Sequence, residues 1–269
     1  MRDVVYWQTA DRLVYFDEKA TAKFWDSHWQ ADGEPPVVGM RHDVVAVSGK
    51  YLARGSRILE GGCGRANKLK AMADAGFSPI GIDFAPASVQ QARRDYPKLD
   101  IRQGDVRALD FPDAYFDGYW SLGVIEHFWA GYDAIMAEAA RVLKPNGFLF
   151  LTAPWLSPYR RQKARAGGYP RVDFSSEPDD FYQFALGRKE VCASLQRHGF
   201  QVLRWHGRAS EISMRDDMTA FQRQTRWLLR SRGSLVKRAA RWAIFAGLNN
   251  YCGHAFLAVA RRVSDSLPA

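Results

Sequence analysis

RILEGGCGRA, residues 57–66, and SPIGID, residues 78–83, decide how this chain is read. Each opens with a short apolar run of strand type. The first run stops at Gly61, Gly62 and Gly64, and a helical pattern begins at Asn67. Glycine lets a backbone turn sharply and come close to a ligand. The helix that follows offers unpaired N–H groups to an anion such as a carboxylate. The second run ends on Asp83, 21 residues after Gly62. A carboxylate at the tip of the neighbouring strand can accept hydrogen bonds from both hydroxyls of a ribose. Asp83 also suits a helix N-cap, since Pro86 follows.

Outward from this unit, strands and helices alternate. Asn67 to Ala75 and Ala87 to Tyr96 read as helices; LDIRQGDV and FDGYWSLGVI read as strands. Ala130 to Leu143 is predicted helical, GFLFLTAP a strand, Lys189 to His198 a helix, and FQVLRW and HAFLAVARR the last strands. This βαβ rhythm predicts an α/β fold with a mostly parallel sheet and helices on both faces. Residues 1–50 are rich in aromatics (Tyr6, Trp7, Tyr15, Phe16, Phe24, Trp25, Trp29) and are read as an N-terminal helical cap, broken at Gly33, Pro35 and Pro36. Residues 51–269 form the main domain. It carries a lid insertion at about 155–185 and a second insertion at about 211–250. The second, with TAFQRQTRWLLRSRGSLVKRAARWAIF, reads as two basic amphipathic helices around Gly233.

The net charge of +9 is uneven. Residues 1–150 hold 18 basic and 20 acidic side chains; residues 151–269 hold 20 and 9, an excess of +11. A basic face suits an anionic membrane, an acidic substrate or nucleic acid, or serves only solubility. No run of about 18 uncharged apolar residues predicts a spanning helix, and charges interrupt the N-terminus too early for a signal-peptide core. Cys63, Cys192 and Cys252 have neither disulfide nor zinc spacing, which fits a cytoplasmic protein.

The glycine turn and Asp83 alone would equally serve a nicotinamide dehydrogenase. That fingerprint, however, wants a glycine where Asn67 stands. GDVRALDFPDAYFDGYWSLGVIEHF, followed by EAARVLKPNGFLFLTAP, resembles the class I S-adenosylmethionine-dependent methyltransferases of ubiquinone and menaquinone biosynthesis. The likeness runs from Arg57 to Pro154 and resumes at YQFALGRKEVCASLQRHGFQV. It implies a Rossmann-like seven-stranded sheet with the last strand antiparallel, helices on both faces and added terminal helices. It also implies S-adenosylmethionine as cofactor, with S-adenosylhomocysteine as product. By the same resemblance Gly61, Gly62, Cys63 and Gly64 form the turn around the methionine portion, and Glu60 supports it and reaches the amino group. Asp83 would bind the ribose and Phe84 pack on adenine. Asp105 would take the adenine amino group and Val106 the ring edge, with a carbonyl near Ser121 or Leu122 on the methionine amino group. Two positions depart from the pattern: Ala66 replaces a usual glycine, and Asn146 interrupts a usual glycine pair. Alanine is small, and asparagine tolerates a left-handed backbone.

Methyl transfer needs an oriented acceptor and, for a hydroxyl, a nearby base. His127 is the candidate base, with Glu126 orienting it; a helix-capping histidine is the alternative. Some relatives bind a metal through an E-x-x-E-H run. Here the first carboxylate is missing (Gly123 to His127), so no metal is expected. The lid aromatics Trp155, Tyr159, Tyr169, Phe174, Phe181, Tyr182 and Phe184 suggest a small apolar or aromatic acceptor. An RNA substrate is disfavoured, because no Asn/Asp-Pro-Pro-aromatic run follows the fourth strand. A non-catalytic scaffold is disfavoured by the intact Gly62, Gly64, Asp83 and Asp105. The 211–250 insertion is assigned to an anionic membrane surface or to a cap.

Overall fold

The computed structural model describes residues 3–31, 40–218 and 247–263. Seven strands make the main sheet. In chain order they are β3 (Arg57–Gly61), β4 (Ser78–Asp83), β5 (Asp100–Gln103), β6 (Phe116–Leu122), β7 (Leu143–Pro154), β10 (Phe200–Arg208) and β11 (Ala255–Arg262). Their spatial order is β10-β11-β7-β6-β3-β4-β5. All neighbours run parallel except β11, which is antiparallel to both β10 and β7. Strands covered on both faces should be apolar along their whole length; Ile58, Leu59, Leu149, Phe150 and Leu151 are fully buried.

Helices α2 (Met40–Tyr51), α3 (Asn67–Asp74), α4 (Pro86–Asp95), α5 (Asp133–Val142) and α7 (Arg188–Arg197) cover this sheet. Trp120 shows how one face closes. Its ring stacks on Phe150 with centroids 4.5 Å apart, and its indole N–H donates to Ser48 Oγ on α2 at 2.9 Å. Asn146 adopts φ +65°, the left-handed conformation that asparagine was expected to tolerate, and Ala66 takes φ +56° at the start of α3.

The start of the chain departs from the helical expectation. Residues 4–16 form a hairpin, β1 (Val4–Trp7) and β2 (Arg12–Phe16), before α1 (Ala22–Ala31). Val4, Val5 and Val14 are β-branched, which favours a pleated surface. The turn closes on Asp11 at φ +49°, whose carboxylate accepts from Tyr6 Oη at 2.8 Å. The hairpin belongs to a second sheet, ordered β8-β1-β2-β9. Strands β8 (Arg171–Val172) and β9 (Phe181–Ala185) come from the lid, which also holds α6 (Pro158–Arg165). The lid is therefore folded, and the N-terminus pairs with it. In the second insertion, α8 (Ser210–Asp217) and residues 247–252 are helical; residues 219–246, with most of the basic run, lie outside the described residues.

Candidate active site

The glycine loop joins β3 to α3 and is bonded mostly to its own neighbours. Gly62 and Cys63 N–H both donate to Ile82 O, at 2.8 and 3.0 Å, and Gly64 N–H donates to Asp83 Oδ2 at 2.8 Å. These three loop N–H groups are thus committed within the protein. What the loop offers is shape and buried negative charge. A Cβ on Gly62 would lie 2.6 Å from a Val124 methyl, and one on Gly64 would lie 2.8 Å from the Trp29 ring. Both glycines have positive φ, +74° and +49°.

Two carboxyls flank the loop. Asp83 is buried; its Oδ1 accepts from Ala85 N–H at 3.0 Å and its Oδ2 from Gly64. Burial raises its pKa, while those N–H groups pull the other way and Asp26 pushes it further up. Glu60 is fully buried, and neither carboxyl oxygen has a hydrogen bond of ordinary geometry among the described residues. Burial pushes it up to about 7; Lys68 pulls it down and Asp83 adds to the rise. An unmatched buried carboxyl is costly, and a cationic group such as an ammonium would relieve it.

The loop opens on a cleft of about 240 Å³. Gly62, Asp83, Phe84, Asp105, Val106 and Leu122 line it, as the sequence led one to expect of that set. Phe84 is 43% exposed and its ring lines the cleft. Glu60, Gly61, Cys63 and Ser121 lie behind this wall: Gly61 is packed on Tyr119 and Val106, and Cys63 on Gly81. Asp105 is committed to Arg107, whose guanidinium bonds both carboxylate oxygens, the shortest at 2.6 Å, and holds its pKa below the usual range.

The cleft also has an aromatic part, but not through the lid rings. It consists of Ala20, Trp25, Trp29, Val124, His127 and Phe128. Of the lid aromatics, Trp155, Phe181 and Phe184 are buried in the main core and Tyr169 in a smaller cluster. Trp25 and Trp29 sit one turn apart on α1, so both indoles share a face. Asp26 between them fixes the helix in place: its Oδ1 accepts from Ser88 N–H at 2.8 Å and Ser88 Oγ at 3.0 Å, in the first turn of α4. Residues missed by sequence reasoning are therefore Ala20, Gly104, Arg107, Gly123, Val124 and Phe128, with the tryptophan pair noted but not assigned. The i, i+4 spacing of Trp25 and Trp29 was the available signal.

His127 follows the tip of β6 and lies edge-on to Trp25, centroids 5.1 Å apart. Its Nδ1 donates to Tyr182 O at 2.8 Å. That bond orients the ring and fixes which nitrogen faces Tyr182. Glu126, expected to do this orienting, is buried beside Gly123 with Oε2 unpartnered among the described residues, and burial pushes it up to about 8. The carbonyl of Tyr182 takes the role assigned to it.

Residues 59–151, from the third residue of β3 into β7, match the family described as "Methyltransferase domain". Over this segment the chain is similar to S-adenosylmethionine-dependent methyltransferases. A protein of Mycolicibacterium smegmatis named a probable S-adenosylmethionine-dependent methyltransferase is 31% identical over 166 residues, covering 60% of this chain and 58% of that one. The ubiquinone biosynthesis O-methyltransferase of Xanthomonas axonopodis pv. citri is 28% identical over 190 residues, covering 68% and 78%. Among solved structures, the methyltransferase bound to the Trm112 activator of Haloferax volcanii superposes with a TM-score of 0.58 at 17% identity, over 94% of this chain and all of that one. The last likeness concerns the fold alone. The chain spans about half the length of the curated mycobacterial relatives it matches.

Proposed function

We propose that the protein transfers a methyl group from S-adenosylmethionine to a small apolar or aromatic molecule, through a hydroxyl oxygen. The observation that carries this reading is the cleft itself: Gly62 and Asp83 line it together with Trp25, Phe128 and His127. The residues fit the cofactor on two grounds. Glu60 is a fully buried carboxyl that burial pushes up to about 7 despite the Leu69 N–H and Lys68, and the ammonium of a methionine group would offset that cost. Gly62 lines the cleft without a side chain, so a ligand can come close to the backbone there.

The cofactor supplies a methyl group on a sulfonium, already activated for displacement. The protein's share is alignment, which can supply about 7–11 kcal/mol of the barrier. In this reading Glu60, buried behind the glycine turn, favours the ammonium through its charge, and Asp83 adds ribose hydroxyls to the N–H groups it already accepts. Phe84 covers the adenine. Trp29 closes over the glycine turn. Trp25, Val124 and Phe128 hold the acceptor by apolar contact and keep water out. His127 takes the acceptor's hydroxyl proton at Nε2, while Nδ1 stays bonded to Tyr182. The name of the Xanthomonas relative, an O-methyltransferase, favours oxygen.

We also infer a cytoplasmic protein with residues 211–250 set against an anionic membrane surface. The +11 excess after residue 150 and three free cysteines support this. Vesicles containing phosphatidylglycerol should carry the protein down on centrifugation and release it in high salt, whereas neutral vesicles should not. Among the described residues no helix is long and apolar enough to cross a membrane.

The test of the main reading is calorimetric titration with S-adenosylhomocysteine, and with NADH alongside. Micromolar binding of the first and none of the second is expected. Absence of binding by S-adenosylhomocysteine overturns it.

A further inference from the structure

Far from the cleft, the lid and the second insertion meet at a buried ion pair. Arg160 of α6 is 1% exposed, and its Nε donates to Asp217 Oδ2, at the end of α8, at 2.8 Å. Asp217 draws three further lid donors. Tyr169 Oη reaches Oδ1 at 2.7 Å, Lys163 Nζ reaches Oδ1 at 3.3 Å, and Tyr159 Oη reaches the backbone carbonyl at 3.1 Å. Arg160 also donates to the carbonyls of Trp155 and His254, at 3.3 and 3.2 Å, and its Nη2 meets His254 Nδ1 at 2.9 Å. One guanidinium thus joins α6, the lid's first residue and the start of β11.

The same root governs β9. Leu156 N–H donates to Leu186 O at 3.0 Å and Leu186 N–H to Pro154 O at 2.9 Å, so the two ends of the lid are zipped together. Leu156, Ala164, Tyr169 and Ala185 share one small apolar cluster. Four residues before Leu186, Tyr182 presents the carbonyl that holds His127 Nδ1. A continuous set of bonded and packed groups therefore runs from Asp217 to the imidazole.

We propose that Asp217, paired with Arg160, is a positioning group for His127: it pins the lid whose strand β9 sets the imidazole's orientation. The proposal rests on the reading of His127 as the acceptor-side base. A buried charge that loses its partner destabilises its surroundings, so removing the Asp217 charge frees the lid root. Coupling along such a route needs direct measurement.

The experiment compares wild type, Asp217→Asn and Tyr169→Phe by amide hydrogen exchange and by ¹⁵N resonances of the His127 ring. In Asp217→Asn, exchange across Phe181–Ala185 should quicken at least tenfold while Arg57–Gly61 stays unchanged. The ring signals should lose the pattern of a fixed Nδ1–H tautomer, a change that mere loosening of α6 would not produce. Faster exchange confined to α6 and α8, with unaltered His127 signals, overturns the proposal. If Asp217→Asn does not fold, Tyr169→Phe decides: it removes one neutral donor, and exchange at Phe181–Ala185 should quicken about threefold. No change there overturns the proposal too. These readings need no ligand, so they stand apart from the S-adenosylhomocysteine titration; failure of the latter strikes the methyltransferase reading alone.

Discussion

Replacing Glu60 with glutamine should strengthen the ligand-free protein above pH 7 and weaken its hold on the cofactor. A carboxyl moved by burial from 4.5 to about 7 has its ionised form penalised by roughly 3 kcal/mol, at 1.36 kcal/mol for each tenfold step in acidity. The sign follows from linkage. A raised acid leaves stability intact below its unfolded pKa, near 4.5, and removes it as pH climbs through the folded value near 7. Wild type should therefore lose about 3 kcal/mol between those limits from this group. Glutamine has the same shape and does not titrate, but its buried amide lacks a partner and costs about 1–2 kcal/mol. At pH 8 the variant should gain roughly 1–2 kcal/mol; at pH 5 it should lose about as much as its amide costs. Denaturant unfolding at the two pH values isolates the effect, because other acids cancel in the difference. Cofactor binding should move the opposite way. A hydrogen bond to a charged group contributes about 1.5–3 kcal/mol, so S-adenosylhomocysteine should bind roughly ten- to a hundredfold more weakly at pH 8. A variant with equal destabilisation at both pH values and unchanged S-adenosylhomocysteine affinity would refute the reasoning and make Glu60 a structural residue.

Asp83→Ala should weaken S-adenosylhomocysteine binding at least tenfold by calorimetry, since the ribose hydroxyls lose a buried acceptor; unchanged affinity would leave Asp83 only its turn-capping bonds to Gly64 and Ala85. His127→Ala should lower turnover of a hydroxyl acceptor by about 10²–10⁴ with cofactor affinity nearly intact, and unaffected turnover would remove it as the base. Gly64→Ala puts a Cβ 2.8 Å from the Trp29 ring at φ +49°, so S-adenosylhomocysteine affinity should fall about tenfold or more, at roughly 1.4 kcal/mol for each tenfold loss. Trp29→Ala in that background should recover part of the loss; no recovery would mean that backbone strain, not the indole, is responsible.

The parts of this molecule that were legible in its sequence are those determined by near neighbours. Apolar runs of four to seven residues, each ended by glycine or aspartate, locate β3, β4 and β6 because a strand covered on both faces must be apolar throughout. The left-handed turn at Asn146 is a property of that residue type. The N-terminal hairpin is different. β2 pairs with β9, Leu13 opposite Ala185, and without that distant strand an aromatic-rich segment reads equally well as a helix. The lid aromatics misled for a related reason. An aromatic ring contributes most when buried, and composition does not tell a buried ring from one facing a cleft; Phe181 and Phe184 went to the core. Asp105 likewise reads as an open acceptor until Arg107, two residues on, is seen to hold both its oxygens. The glycine turn and Asp83 are built within one βαβ unit, so local pattern reaches them. The acceptor wall joins α1, the tip of β6 and, through Tyr182, the lid, so only long-range pairing brings it together. This is the physical reason that a nucleoside-binding turn is readable from residues 57–83 while acceptor preference is not, and why an acceptor search should vary Trp25, Val124 and Phe128 before any residue of the lid.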